Sequence, residues 1–389
     1  MTPRRLLLPL LLSAALLAAC TSNVRDEPTA AASDAAQASP AAPATTKEST
    51  DTGTLQGAPY RIDVPAQWNG ELVLFLHGYE PVGTPRPDPW PRDAFAESLL
   101  GKGYAVASSG YSTQGWAVAE AVADNERLRQ HFVTRFGAPS RSWLVGLSMG
   151  GQVVLASAEQ YPHVYAGVLS MCGVNAPAHE LFTEGVLAPL VAFDTLFPRV
   201  LPQAPGGLAD PSLPPMADPA AIEAALHGDE AKAQRLVQRF DILREDLAGA
   251  LWLQYLALRE VATRAGGFPV DNHGYAYTGF GDDAAFNAAV RRYTGDPKAM
   301  VYLGRNAPLT GRIHTPVVLQ SNNNDPTVPQ RFGNRYAQRV REAGTERFLT
   351  VLKPVGKGHC ALQPQDVDAA FDAMLAAGRA VEQGARQSR

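Results

Sequence analysis

Cysteine is nearly absent from this chain. Three occur in 389 residues, Cys20, Cys172 and Cys360, which excludes a small fold stapled by a disulfide framework. The eight histidines are scattered, and no Cys or His spacing matches a zinc site. Phosphate-cradling glycine loops are missing as well. Gly101-Lys102-Gly103 and Gly356-Lys357-Gly358 are too short for one and read as turns, so no cofactor is implied. Charge of one sign is lacking: 34 Lys and Arg stand against 38 Asp and Glu, a formal net charge of −4. The charges form no long runs, and no basic patch offers itself to nucleic acid. Long apolar runs are confined to residues 6–19, too short for a comfortable membrane span. No internal repeat is visible.

That apolar run follows the basic stretch Met1-Thr2-Pro3-Arg4-Arg5 and ends in Leu17-Ala18-Ala19-Cys20, the layout of a secretory signal peptide. Its last four residues resemble the lipobox of bacterial lipoproteins. The resemblance implies removal of residues 1–19, lipidation of Cys20 and an exported chain anchored to a bacterial membrane. Ordinary secretion with an idle Cys20 is the plainer alternative. Residues 20–54 are mostly Ala, Thr, Ser, Pro, Asp and Glu and cannot bury enough surface to offset their ordering entropy, so a flexible tether is expected there. The remaining folded part, about 330 residues, is long enough for one large domain or a domain with an insertion.

Within that part, strand-like and helical segments alternate. Residues 60–64 alternate apolar and polar, and Glu71-Leu72-Val73-Leu74-Phe75-Leu76 is a nearly continuous apolar run, as in a strand buried on both faces. Helical patterns at 91–100 and 116–136 flank a strand at 104–108, and a further strand is expected at 166–171. Such alternation predicts an α/β fold with a mostly parallel sheet covered by helices on both sides. From 175 to 305 strand signals disappear. Helices are expected at 219–226, 230–265 and 283–293, making a mainly helical cap inserted between core segments 55–174 and 306–380, with 381–389 as a tail. Alternation resumes with strands at 315–321 and 347–352 and helices at 330–343 and 364–377.

The most informative stretch is Gly146-Leu147-Ser148-Met149-Gly150, which follows the apolar Trp143-Leu144-Val145 and precedes a helical run. This is the G-x-S-x-G pattern of a nucleophile elbow, where a strand turns sharply into a helix and exposes a serine oxygen. Any side chain at 146 or 150 is expected to collide across the turn. A serine hydroxyl needs a base, and the base an orienting acid. His359 in Lys357-Gly358-His359-Cys360 and Asp325 in Asn324-Asp325-Pro326 both fall on loops after core strands, at the edge where the elbow emerges. Asp88, Asp282 and Asp283 lie in loops without a matching strand end. His131, His163, His179, His227 and His314 read as surface or capping residues.

Together with Leu74-Phe75-Leu76-His77-Gly78 and Val328-Pro329, these pieces resemble the α/β-hydrolase superfamily over residues 60 to 380, with the order Ser…Asp…His. The resemblance implies a cofactor-free acyl-enzyme mechanism with Ser148 as nucleophile, His359 as proton shuttle and Asp325 as its orienting acid. It also implies an oxyanion hole from the backbone amides of Met149 and Tyr79, with His77 bracing the loop. The cap aromatics Tyr275, Tyr277 and Phe280 are candidate pocket residues, or packing. Cys172 and Cys360 are expected near the site, as one disulfide or as two buried thiols. Tannases and fungal-type feruloyl esterases couple a cysteine beside the histidine to one immediately before the serine. This chain has Leu147 there and departs from that pattern. The function expected is hydrolysis of a small-molecule carboxylic ester. An aminopeptidase-like peptidase or amidase is the runner-up, and a non-catalytic binding lipoprotein the reading from another class.

Overall fold

The computed structural model describes residues 47–387; the signal peptide, Cys20 and most of the tether lie outside the described residues. The chain opens with two strands, β1 (Ser49–Leu55) and β2 (Ala58–Val64), then β3 (Glu71–Leu76), α1 (Ala94–Gly101), β4 (Ala105–Ser109), α2 (Val118–Phe136), β5 (Arg141–Leu147), α3 (Met149–Gln160) and β6 (Gly167–Met171). A helical segment follows, with α4 (Ala178–Glu180) running through a π-helical stretch (Leu181–Leu187) into α5 (Ala188–Leu196). Next come α6 (Pro219–Gly228), α7 (Glu230–Phe240), α8 (Leu247–Ala265), α9 (Asp283–Ala289) and α10 (Pro297–Asn306). The chain then returns through β7 (Val317–Gln320), β8 (Asn322–Asn323), α11 (Arg331–Glu342), β9 (Leu349–Val351), β10 (Val355–Lys357) and α12 (Pro364–Gln387).

Eight strands form one sheet in the order β1-β2-β4-β3-β5-β6-β7-β9. The β1–β2 and β2–β4 pairs are antiparallel and every other pair is parallel. The period-2 side-chain rule explains the apolar run of β3. Leu72, Leu74 and Leu76 pack on one face with α2 and α3, while Val73 and Phe75 pack on the other with Ala96 and Leu99 of α1 and with Phe371 and Met374 of α12. A doubly covered parallel sheet interrupted after β6 by helices is the α/β-hydrolase architecture that the motifs imply.

Some expectations are corrected. The tether ends earlier than residue 54, because 49–55 form an edge strand along β2. An edge strand needs no large apolar residues. Its ladder bonds are joined by Thr50 Oγ1 donating to Asp63 at 2.7 Å and Tyr60 Oη donating to Asp51 at 3.4 Å. The single helix expected over 230–265 is two, broken at Asp241, whose left-handed φ of 56° caps α7. The insertion also carries helices at 178–196 and 297–306, beyond those expected. The proline-rich stretch between α5 and α6 is held from within: the buried Arg259 of α8 donates to the carbonyls of Leu208, Pro211 and Leu213 at 3.2–3.3 Å, satisfying oxygens of the loop. Among the described residues, no helix is long and apolar enough to cross a membrane.

Candidate active site

Ser148 sits at the sharp junction of β5 and α3 with φ 55° and ψ −120°, a conformation costly for a residue with a side chain. Its surroundings over-determine it. Its amide donates to Met171 O at 3.1 Å, and its carbonyl accepts from Gly151 at 2.9 Å and from Val174 at 3.1 Å. The flanking glycines are steric necessities. A Cβ on Gly146 would lie 2.2 Å from Gly150 O, and one on Gly150 would lie 2.1 Å from Leu76 O. Both clashes are with backbone, which has nowhere to move.

Asp325 and His359 reach the same sheet edge from the loops after β7 and β10. The two loops are stitched together by the short β8–β10 ladder. The side-chain amides of Asn322 and Asn323 donate across it to Val355 O at 2.8 Å and Gly356 O at 2.9 Å. Asp325 is 3% exposed. Its Oδ1 accepts the backbone N–H groups of Thr327 at 2.9 Å and Val328 at 2.8 Å, and His359 Nδ1 lies 2.8 Å from Oδ2 and 3.0 Å from Oδ1. An ionised carboxylate only accepts, so Nδ1 carries the proton and Nε2 is left with its lone pair. That nitrogen stands 2.9 Å from Ser148 Oγ, within reach to accept the hydroxyl proton.

Met149 and Tyr79, the residues expected to supply the oxyanion amides, both line the cavity beside Ser148. Met149 opens α3, so its N–H has no intrahelical acceptor. The His77-Gly78-Tyr79 loop presses against Ser148, and a Cβ on Gly78 would stand 3.1 Å from Ser148 Cβ. This loop is braced through His77, which donates from Nδ1 to Gly78 O at 2.8 Å and stacks on Tyr111 at 4.0 Å. Tyr111 in turn donates its hydroxyl to His77 O at 2.8 Å. Burial pushes the His77 imidazole down to about 4, so it is neutral at ordinary pH and acts as a strut.

A cavity of about 400 Å³ opens over Ser148 and His359. Its walls are apolar, with Trp116 from the core, Phe182 and Val186 from the π-helical stretch, and Leu253 and Ala257 from α8. Tyr275, Tyr277 and Phe280 do not line it. Tyr277 is fully buried, Phe280 stacks on Phe286 at 4.0 Å, and Tyr275 accepts a hydrogen bond from Arg239 at 2.8 Å. Those three are packing, and the aromatic loop misled because it carried the most conspicuous rings in the insertion. The residues that do line the cavity recur on α8 at 250, 253, 254 and 257, a helical stripe whose sequence signal is indistinguishable from core packing. Asp282 caps α9 by accepting from Ala285, and Asp283 accepts from the loop amides of Gly279 and Phe280.

Cys172, at the end of β6, and Cys360, next to His359, form a disulfide with Cα atoms 5.2 Å apart. It ties the base loop to the strand beside the elbow.

No protein-family model matches the chain, and no curated protein does. Among solved structures the chain is similar to an arylesterase, at 15% identity and a TM-score of 0.44 over 87% of this chain and 88% of that one. It is similar to a membrane phospholipase A described as a bacterial virulence factor, at 16% identity and a TM-score of 0.40 over 86% and 88%. Acylaminoacyl peptidase from Pyrococcus horikoshii matches at 10% identity and a TM-score of 0.42 over 81% of this chain, which spans only 38% of the peptidase.

Proposed function

We propose that this protein is a serine hydrolase that cleaves carboxylic esters through an acyl-enzyme intermediate. The observation carrying this reading is the unbroken relay from Asp325 to His359 at 2.8 Å and from His359 to Ser148 at 2.9 Å, beneath an apolar cavity. As Ser148 Oγ bonds to the substrate carbonyl carbon, its proton passes to His359 Nε2. Charge developing on the carbonyl oxygen is met by the amides of Met149 and Tyr79, which are fixed before reaction and need no reorganisation. The imidazolium, stabilised by Asp325, then protonates the departing alkoxide. Water repeats the sequence on the acyl-enzyme, releasing the acid and restoring the serine.

The cavity favours an ester over a free-amine peptide. None of the residues lining it is acidic, whereas an aminopeptidase requires a carboxylate to hold the substrate ammonium. Glu260, which lines the adjoining cavity, is engaged by Trp116 N–H at 2.9 Å and by Arg264 Nε at 2.8 Å. The test is a panel of nitrophenyl esters against aminoacyl-nitroanilides, using a soluble form lacking residues 1–46. Ester turnover with no anilide cleavage is expected; preferential anilide cleavage would move the assignment to a peptidase, and neither activity would favour a binding protein.

We also propose that the chain is exported and lipid-anchored at Cys20. The lipobox-like ending at residues 17–20 supports this, as does a disulfide, which persists in oxidising compartments. Cys20→Ala should abolish acylation and release the protein from the membrane fraction; a wild-type chain recovered as soluble with Cys20 unmodified would refute the anchor.

A further inference from the structure

Trp116 lines the cavity over Ser148 and is held from three sides. Its backbone N–H donates to Glu260 of α8 at 2.9 Å, its indole Nε1–H donates to Gln152 Oε1 at 3.0 Å, and its ring meets Phe182 edge-on with centroids 5.5 Å apart. Gln152 is fully buried and lies on α3 about one turn beyond Ser148. Both ends of its amide are used. An indole N–H only donates and a carbonyl only accepts, so Oε1 has to face Trp116 and Nε2 has to face Ala176 O, 3.0 Å away. That fixes the amide in one orientation, and the indole with it. Ala176 stands between β6 and α4, where the helical insertion begins. One side chain therefore ties the ring to the helix that follows Ser148 and to the root of the insertion.

The ring has no room to retreat. Trp116 is 4% exposed, and Gln152 and Phe182, which back it, are 0% and 1% exposed, in an interior packed to crystal density. Topology decides which part of a substrate meets this wall. In the sheet, β3 and β4 lie on one side of β5, and β6 and β7 on the other. Tyr79 and Trp116 come from the chain after β3 and β4, whereas Asp325 and His359 come from the loops after β7 and β10. An ester carbonyl bonded to Ser148 Oγ has to present its leaving oxygen to His359 Nε2. Its acyl group is then directed away from His359, to the side of the cavity that carries Trp116.

We propose that Trp116 is the specificity-determining wall on the acyl side of the cavity, that Gln152 positions it, and that the preferred substrates are esters of short apolar acids. This rests on the ester-hydrolase reading. Length is limited because packed core lies behind the ring. Polarity is limited because the indole N–H is spent on Gln152, and the neighbouring Phe182 and Val186 offer a polar acyl group no partner.

The experiment measures kcat/KM for nitrophenyl butyrate and nitrophenyl decanoate, with a melting curve for each protein. Wild type should favour butyrate by about tenfold or more. Trp116→Ala removes the wall and should raise the decanoate-to-butyrate ratio about tenfold; Trp116→Phe, which keeps a ring in place, should raise it less. Gln152→Leu keeps the indole but releases it, and should raise the ratio about threefold, the scale of one lost hydrogen bond. Because Gln152 acts through Trp116, adding Gln152→Leu to Trp116→Ala should leave the ratio where Trp116→Ala alone put it. A general loosening of α3 would instead move it further, and that additive result would overturn the positioning role of Gln152. A ratio indifferent to Trp116→Ala would overturn the wall. The wild-type pair decides the matter even where a variant fails to fold, since decanoate cleaved as well as butyrate would also overturn the wall. Neither ester cleaved by the wild type would instead contradict the hydrolase reading itself.

Discussion

Replacing Asp325 by Asn tests the division of labour between its two oxygens. Oδ1 is anchored by the amides of Thr327 and Val328 at 2.9 and 2.8 Å. An asparagine keeps that anchorage with its own carbonyl oxygen, so its NH2 group replaces Oδ2 against His359 Nδ1, where the distance is 2.8 Å. A donor there requires Nδ1 to accept, which places the imidazole proton on Nε2. In that tautomer Nε2 donates toward Ser148 Oγ and no longer accepts its proton. The shape of the site is preserved while the base is disabled, and the rate should fall on the order of 10⁴-fold at neutral pH. At ~1.4 kcal/mol per decade this corresponds to about 5 kcal/mol of transition-state stabilisation. The assay is kcat/KM on nitrophenyl butyrate beside a melting curve. Tm should move little, because the two backbone contacts to Oδ1 survive. Asp282→Asn and Asp283→Asn, which alter a helix cap and a loop turn, serve as controls and should leave kcat/KM within about twofold. A loss below tenfold in Asp325→Asn, or a larger one in either control, would refute the assignment of roles.

Stability should depend on pH through His77. Its pKa is about 4 in the folded chain against an ordinary 6.5, so the unfolded chain binds more protons between those values and stability rises with pH. This contribution, on the order of 3 kcal/mol, is fully present above pH ~6.5 and is lost as pH falls toward 4; His77→Gln should flatten the loss in urea titrations, and an identical slope would refute the strut. Cys172→Ala paired with Cys360→Ala opens a link spanning 188 residues and should cost about 2–5 kcal/mol. Ester turnover should fall together with Tm as the His359 loop loosens, and titration of two reactive thiols in unreduced, denatured wild-type protein would exclude the bridge.

Much of this architecture is legible in the sequence because local and tertiary demands coincide there. In β3 a run of apolar residues is required on both faces, and in Gly146-Leu147-Ser148-Met149-Gly150 the glycines are dictated by contacts near 2 Å. Asp325 and His359 could be placed because each follows a strand of a parallel sheet, which fixes the edge at which both emerge. Edge strand β1 was not legible. Its Ser-Thr-Asp-Thr-Gly composition matches a solvated linker, and it is ordered by the ladder with β2, the side-chain bonds to Asp63 and Tyr60, and the contacts of Asp51 with His131 and Arg135 of α2. Nor was the cavity wall legible, since Leu253 and Ala257 differ from core residues only in facing empty space. The strongest aromatic signal, at Tyr275, Tyr277 and Phe280, belonged to packing within the insertion.

The most direct test of the central claim is covalent labelling of Ser148. Wild-type protein treated with a fluorophosphonate probe, digested and analysed by mass spectrometry should carry one adduct, on the peptide containing Ser148. Ser148→Ala protein with an unchanged melting temperature should carry none, and its ester turnover should fall by on the order of 10⁴- to 10⁶-fold. Full labelling or turnover in Ser148→Ala, or an adduct on another residue of the wild type, would contradict the account.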